Sequence, residues 1–139
     1  MRFLGLDLGQ KSLGTALSDE SGIIASSYKL IKFDTCNYEV LLPQIKQIVD
    51  EYNVSKIVLG LPKNMNNTIG PRGEETIKFK ETLEQYLNLE IILQDERLTT
   101  VEATNYLIEA NMSRKKRKDK VDNLSATIIL QTYLDRREK

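Results

Sequence analysis

A chain of 139 residues can bury roughly two thirds of its unfolded surface without a disulfide or a structural metal, and one domain spanning residues 1–139 is expected. With no histidine and a single cysteine, Cys36, it excludes Ser-His and Cys-His catalysis, His-ligated zinc and any disulfide within the chain. The net charge of zero conceals an asymmetry: residues 1–110 carry 11 Lys/Arg against 16 Asp/Glu, residues 111–139 carry 9 against 4, and the basic end predicts a local contact with a polyanion.

Residues 2–8 alternate as a strand and stop at the turn Gly9-Gln10-Lys11; residues 13–18 and about 23–32 make two more, an antiparallel meander. From Tyr38 the period changes. Val40, Leu41, Ile45, Ile48 and Val49 fall at helical spacing, and this helix ends near Asn53. The run Lys56 to Gly60 reads as a strand covered on both faces. Pro62 to Gly73 reads as a loop, and residues 74–88 as a helix with Ile77, Leu83 and Leu87 on its apolar side. Ile91 to Leu93 is a further buried strand, stopped by the polar Gln94-Asp95-Glu96-Arg97. Thr99 to about Ala110 is expected to be helical, with Glu102 completing a capping box. Residues 113–120 read as a basic loop, and a last helix runs from about Lys120 to Arg136. The fold class expected is α/β, a mixed sheet sandwiched by helices. No apolar run approaches the roughly 20 residues a membrane span requires, and no secretory signal opens the sequence; a cytoplasmic protein is expected.

Chemistry has to come from the acids. Asp7 shares one strand face with Phe3 and Gly5, between Leu6 and Leu8 on the other; so placed it needs a partner or a metal, unless it caps the following turn. Gly9 and Gly14 frame that turn, either as phosphate-approaching or as plain turn glycines. Glu96 directly follows a strand, where open α/β sheets place ligand-binding groups, or else belongs to a solvated turn with Asp95 and Arg97. Asp122 is expected in the first turn of the last helix, heading an apolar stripe of Ala126, Ile129 and Tyr133; the helix dipole would favour an acid there in any case. The three acids, Asp7, Glu96 and Asp122, can converge at one sheet edge. Carboxylates without histidine suit Mg²⁺ or Mn²⁺, and two such ions about 4 Å apart can activate water at a phosphodiester. The basic run Arg114, Lys115, Lys116, Arg117, Lys118 and Lys120 stands directly before Asp122, where it would hold a phosphate backbone beside that chemistry.

Four blocks, GLDLGQKSLGTALSD at 5–19, VLGLPKNMNN at 58–67, DERLTTVEA at 95–103 and KVDNLSATIILQTYL at 120–134, resemble the YqgF/RuvX-type nuclease family along essentially the whole chain. That family is described both as Holliday junction resolvases and as nucleases maturing the precursor of 16S ribosomal RNA. The resemblance implies an RNase H-like fold, with a mixed five-stranded sheet and helices on both faces. It assigns Asp7, Glu96 and Asp122 as catalytic, metal-holding acids, and makes Lys11 and Arg97 contacts to nucleic acid or to the acidic cluster. Gly60–Pro62 would border the cleft. Gln10, Thr15, Asn67 and Ser125 depart from the family's usual residues, Ser125 standing where a small alanine is common; none touches the acids.

The function expected is therefore a metal-dependent nuclease of structured nucleic acid, maturing the 5′ end of pre-16S ribosomal RNA or resolving branched DNA. A non-catalytic nucleic-acid-binding module is the main alternative, opposed by the presence of all three acids. An ATP-binding fragment of the actin and sugar-kinase type, to which DLGQKS is similar, would need a second such domain. Monomer and weak homodimer both stay open, because nothing in the sequence marks an interface.

Overall fold

The computed structural model describes residues 1–35, 37–62, 69–95 and 114–136, the last stretch by its backbone alone as far as Asn123. Cys36, Glu96, Arg97 and the helix expected over 99–110 lie outside the described residues. Five strands form one sheet in the order β3-β2-β1-β4-β5: β1 Arg2–Leu8, β2 Ser12–Ser18, β3 Ala25–Lys32, β4 Val54–Leu61 and β5 Ile91–Asp95. The first three pair antiparallel, whereas β4 runs parallel to β1 and β5 parallel to β4, the mixed sheet the sequence predicts.

Strand alternation sends Leu4, Leu6 and Leu8 to one face and Phe3, Gly5 and Asp7 to the other. The leucine face meets α1 (Leu41–Tyr52) and α2 (Pro71–Leu87), which supply Leu41, Ile45, Ile48, Phe79 and Leu83 to a core shared with Ile57 and Leu59 of β4. A short 3₁₀ turn, Tyr38–Val40, leads into α1. Both helices end on an asparagine in the left-handed region, Asn53 at φ 53° and Asn88 at φ 52°. Each donates its N–H back into the last turn, to Val49 O and Glu84 O, and asparagine bears that conformation better than most residues.

The Phe3 face meets α3 (Arg114–Arg136), which packs Ala126, Ile129, Leu130 and Leu134 on Phe3, Ala16 and Val58. Helices thus cover both faces. The helix also ties down the edge strand. The Ala25 N–H donates to Gln131 Oε1 at 2.8 Å, Gln131 Nε2 donates to Ile23 O at 2.9 Å, and Ser27 Oγ lies 2.7 Å from Thr127 Oγ1. No helix among the described residues is long and apolar enough to cross a membrane.

Two helices differ from expectation. The α2 helix begins at Pro71 rather than residue 74, because proline at the first helical position gives up an N–H that would be unbonded there anyway. Its buried side is Thr76, Phe79 and Leu83, and Ile77 is only half-buried. The largest correction concerns the basic run. Residues 114–120 are not a loop but the first two turns of α3. No glycine or proline interrupts 110–136, and lysine and arginine are good helix formers.

Candidate active site

The carboxyl ends of the three parallel strands β1, β4 and β5 lie on one edge of the sheet. Asp7 is the last residue of β1 on the α3 face, half-buried and engaged in an interaction. Its row in the sheet is informative. On one side it pairs with Gly14 of β2. On the other, Leu6 pairs with Leu59, so the next position along β4 is Gly60, which in turn pairs with Gln94 of β5. The carboxylate therefore stands between two glycines, neither of which brings a side chain to that face. Bulkier neighbours would fill the space a ligand of Asp7 needs.

The depth of α3 is fixed by Gly5. A Cβ built there would lie 2.7 Å from Leu130 Cβ and 3.0 Å from the Ala126 carbonyl oxygen, closer than side chains tolerate. Along the same face, Phe3 meets Tyr133 with ring centroids 5.8 Å apart. The helix therefore runs antiparallel to β1: Tyr133 beside Phe3, Ala126 and Leu130 over Gly5. Two strand residues further, about 6.6 Å, lies Asp7; four helix residues further, about 6 Å, lies Asp122. The helical turn that bears Asp122 thus comes near the level of Asp7. It sits in the third turn of α3, not the first as expected. The dipole explanation for an acid at 122 falls away, since that effect is confined to the first turn.

The turn after β1 is closed by the Gly9 N–H donating to Ser12 O at 2.8 Å, and space at Gly9 is tight: a Cβ would be 3.1 Å from the same oxygen. Gly9 is in that respect a turn glycine, whereas Gly14 belongs to the strand beside Asp7. Lys11 is exposed at the tip of this turn, and its carbonyl accepts the Phe33 N–H at 2.9 Å. Asp95 ends β5 opposite Leu61, on the leucine face, so it points away from Asp7's side of the sheet.

Arg72, which the sequence does not single out, reaches this edge from the first turn of α2. Its Nη2 donates to Leu8 O at 3.1 Å, bringing a cation to the residue after Asp7. The contact spans 64 positions, and only a Pro-initiated helix at 71 would have hinted at it. Gly73 seats the same turn: a Cβ there would lie 2.9 Å from the Pro62 carbonyl, so α2 starts hard against the end of β4. Of the residues expected in the site, Asp7 and Lys11 are described in full. Arg114, Lys115, Lys116, Arg117, Lys118, Lys120 and Asp122 are placed by their backbone, and Glu96 and Arg97 lie outside the described residues. Among the described residues no three of His, Cys, Asp and Glu are grouped as a metal site.

Comparison with known proteins matches residues 1–136 to the family profile RuvX, described as Holliday junction resolvase. A Bacillus cytotoxicus protein named "Putative pre-16S rRNA nuclease" is 51% identical over 135 residues, 97% of this chain and 98% of that protein. Among solved structures, T. thermophilus RuvC in complex with Holliday junction substrate superposes with a TM-score of 0.57 at 12% identity, over 96% of this chain and 94% of that one. The fowlpox virus Holliday junction resolvase gives 0.56 at 16% identity, over 97% and 99%. These distant likenesses establish the fold, which is the RNase H-like one expected.

Proposed function

Because this chain belongs to the RuvX family, and so is a nuclease that hydrolyses phosphodiester bonds, we propose that its work is maturation of the 5′ end of pre-16S ribosomal RNA in the cytoplasm, by metal-dependent cleavage. The observation that carries the site is the row Gly14–Asp7–Gly60, a half-buried carboxylate with side-chain-free neighbours, near the level of the turn of α3 that bears Asp122.

In this reading Asp7, Glu96 and Asp122 hold divalent metal, Mg²⁺ or Mn²⁺ and two ions in all. The donor set fits: oxygen ligands without histidine or cysteine suit hard cations, and Glu96 comes two residues after Gln94, which shares Asp7's row. What such ions supply is an activated water and neutralisation of charge on the phosphate. The protein's own part is positioning. Asp7 is held by a central strand with a paired neighbour on each side. Arg114, Lys115, Lys116, Arg117, Lys118 and Lys120 stand on the two helical turns before Asp122, so phosphates bound along them run toward the acids. Lys11 and Arg97 add contacts to the nucleic acid, and Arg72 offsets negative charge where β1 ends. One domain carries the whole apparatus.

The family's description favours a second substrate, the four-way DNA junction. Incubation of the protein with a 5′-extended 16S precursor and, separately, a four-way junction, in Mg²⁺ or Mn²⁺, decides between them. We expect the precursor to be cut, and cutting to stop in chelator. Resolution of the junction with the precursor left intact would overturn the RNA assignment.

A further inference from the structure

On the leucine face, the start of α1 and the first turns of α2 enclose a cavity of about 220 Å³. Its walls are apolar and aromatic: Phe79, which is buried, and the half-buried Tyr38 and Leu42. The Tyr38 ring is held on three sides. It meets Phe33 and Phe79 edge-on, with centroids 5.8 and 5.9 Å apart, and its hydroxyl donates to Glu75 Oε2 at 3.0 Å. An apolar cavity of roughly 150 Å³ takes benzene, so this one has room for a single flat heterocycle.

Charge and position say which heterocycle. The rim carries two carboxylates, Glu39 and Glu75, against one cation, Lys78. That balance turns away a phosphate but accepts N–H donors, such as the amino-bearing edge of a nucleobase. The cations that suit phosphate lie just outside, at the end of β1. Phe33, beside Tyr38, donates its N–H to the carbonyl of Lys11. On the other side Glu75 stands one helical turn, about 5–6 Å between Cβ atoms, from Arg72, which is exposed and donates to Leu8 O. A nucleotide with its phosphate on Arg72 can place its base in the cavity while the strand continues over the sheet edge toward Asp7.

We propose that this cavity takes one unpaired base of the nucleic acid being cut, with Arg72 on its phosphate. The proposal rests on the reading above that cleavage occurs at Asp7's end of the sheet. A base enters such a cavity only when it is splayed out of its stack. The cavity therefore favours a substrate with a single-stranded extension, as at the 5′ end of a precursor RNA, over a four-way junction whose bases are all paired.

The test measures binding by the intact chain in chelator, so that nothing is cut, through fluorescence anisotropy. The probes are an RNA duplex with a short 5′ single-stranded extension and the same duplex with an abasic extension, which keeps every phosphate and removes the bases. Wild type should bind the first on the order of tenfold more tightly, the worth of one stacked base. Thr82→Glu sets a carboxylate at the exposed end of the cavity, on a helix that tolerates it, and should erase most of that preference while leaving the abasic probe within a few-fold. Arg72→Gln should weaken both probes and lower the log–log salt slope by roughly one. Equal binding of the two probes by wild type, or a preference that survives Thr82→Glu, refutes the base site; an unchanged salt slope in Arg72→Gln refutes the phosphate contact. If the preference holds while Asp7→Asn cuts RNA as fast as wild type in Mg²⁺, the base site stands and the metal-site reading fails.

Discussion

The two faces of the sheet are packed by different rules. Toward α1 and α2 the contacts are long aliphatic side chains, Leu4, Leu6, Leu13, Ile45, Ile57, Leu59 and Leu83, all fully buried. Toward α3 the sheet offers Gly5 and Ala16 beside Phe3 and Val58, and the helix answers at its closest approach with Ala126 and the base of Leu130. The first face is thick and holds the fold. The second is thin, and a thin interface leaves a helix little freedom in depth, because backbone meets backbone without flexible side chains between. That suits the proposed site, in which one acid stands on the strand and another on the helix.

Substitutions in the two faces should therefore fail in different ways. Leu59→Ala, on the thick face, should cost about 2–5 kcal/mol in urea unfolding, yet leave the cleavage rate per folded molecule near wild type. Gly5→Ala, on the thin face, should cost only about 1–3 kcal/mol, because one methyl must push α3 outward. Its cleavage rate should nonetheless fall much further than that of Leu59→Ala, since Asp122 moves with the helix. Equal rates per folded molecule in the two variants would remove the distinction between the faces.

The smallest effect expected sharpens the same contrast. At the end of α2, on the thick face, Glu84 receives hydrogen bonds from Lys80 Nζ at 2.8 Å and from the Ile91 N–H at 3.4 Å. The Lys80 contact first, and then the Ile91 N–H, hold its carboxyl below the ordinary glutamate value of 4.5. A group depressed in the folded state stabilises above its unfolded pKa and loses that contribution as pH falls through the folded value. Glu84→Gln should thus be slightly less stable than wild type at neutral pH, the difference closing below about pH 4.5, where unfolded glutamate protonates. A constant difference from pH 7 to pH 3 would rule out the linkage. Nothing at Glu84 should alter cleavage at neutral pH.

Much of this was legible in the residues and some of it was not. Alternation marked β1, short continuous apolar runs marked β4 and β5, and helical spacing with a terminal asparagine marked α1. The acid on β1 was legible because a carboxylate between leucines is unusual wherever it lies. The start of α3 is not legible, because a run of like charges resembles a solvated loop when its neighbours in space are unknown, and the turn that carries Asp122 shifts with it. Thr15, unusual for the family, has a structural reason that only register shows. It sits at the irregularity between Gly14 and Ala16, where its Oγ1 donates to the Lys29 carbonyl and accepts the Lys29 N–H. The glycine flanks of Asp7 and the reach of Arg72 to Leu8 are tertiary facts. Residues far apart in sequence create each of them, so no local pattern carries them.

The central claim is that Asp7 holds the metal on which cleavage depends, and Asp7→Asn tests it most directly. The substitution keeps the side chain's size while removing its charge. With the fold confirmed by circular dichroism and unfolding, the account predicts that the variant neither binds Mn²⁺ in calorimetric titration nor cuts a nucleic acid that the wild type cuts. A folded Asp7→Asn protein that cleaves at the wild-type rate in Mg²⁺ or Mn²⁺ would contradict it.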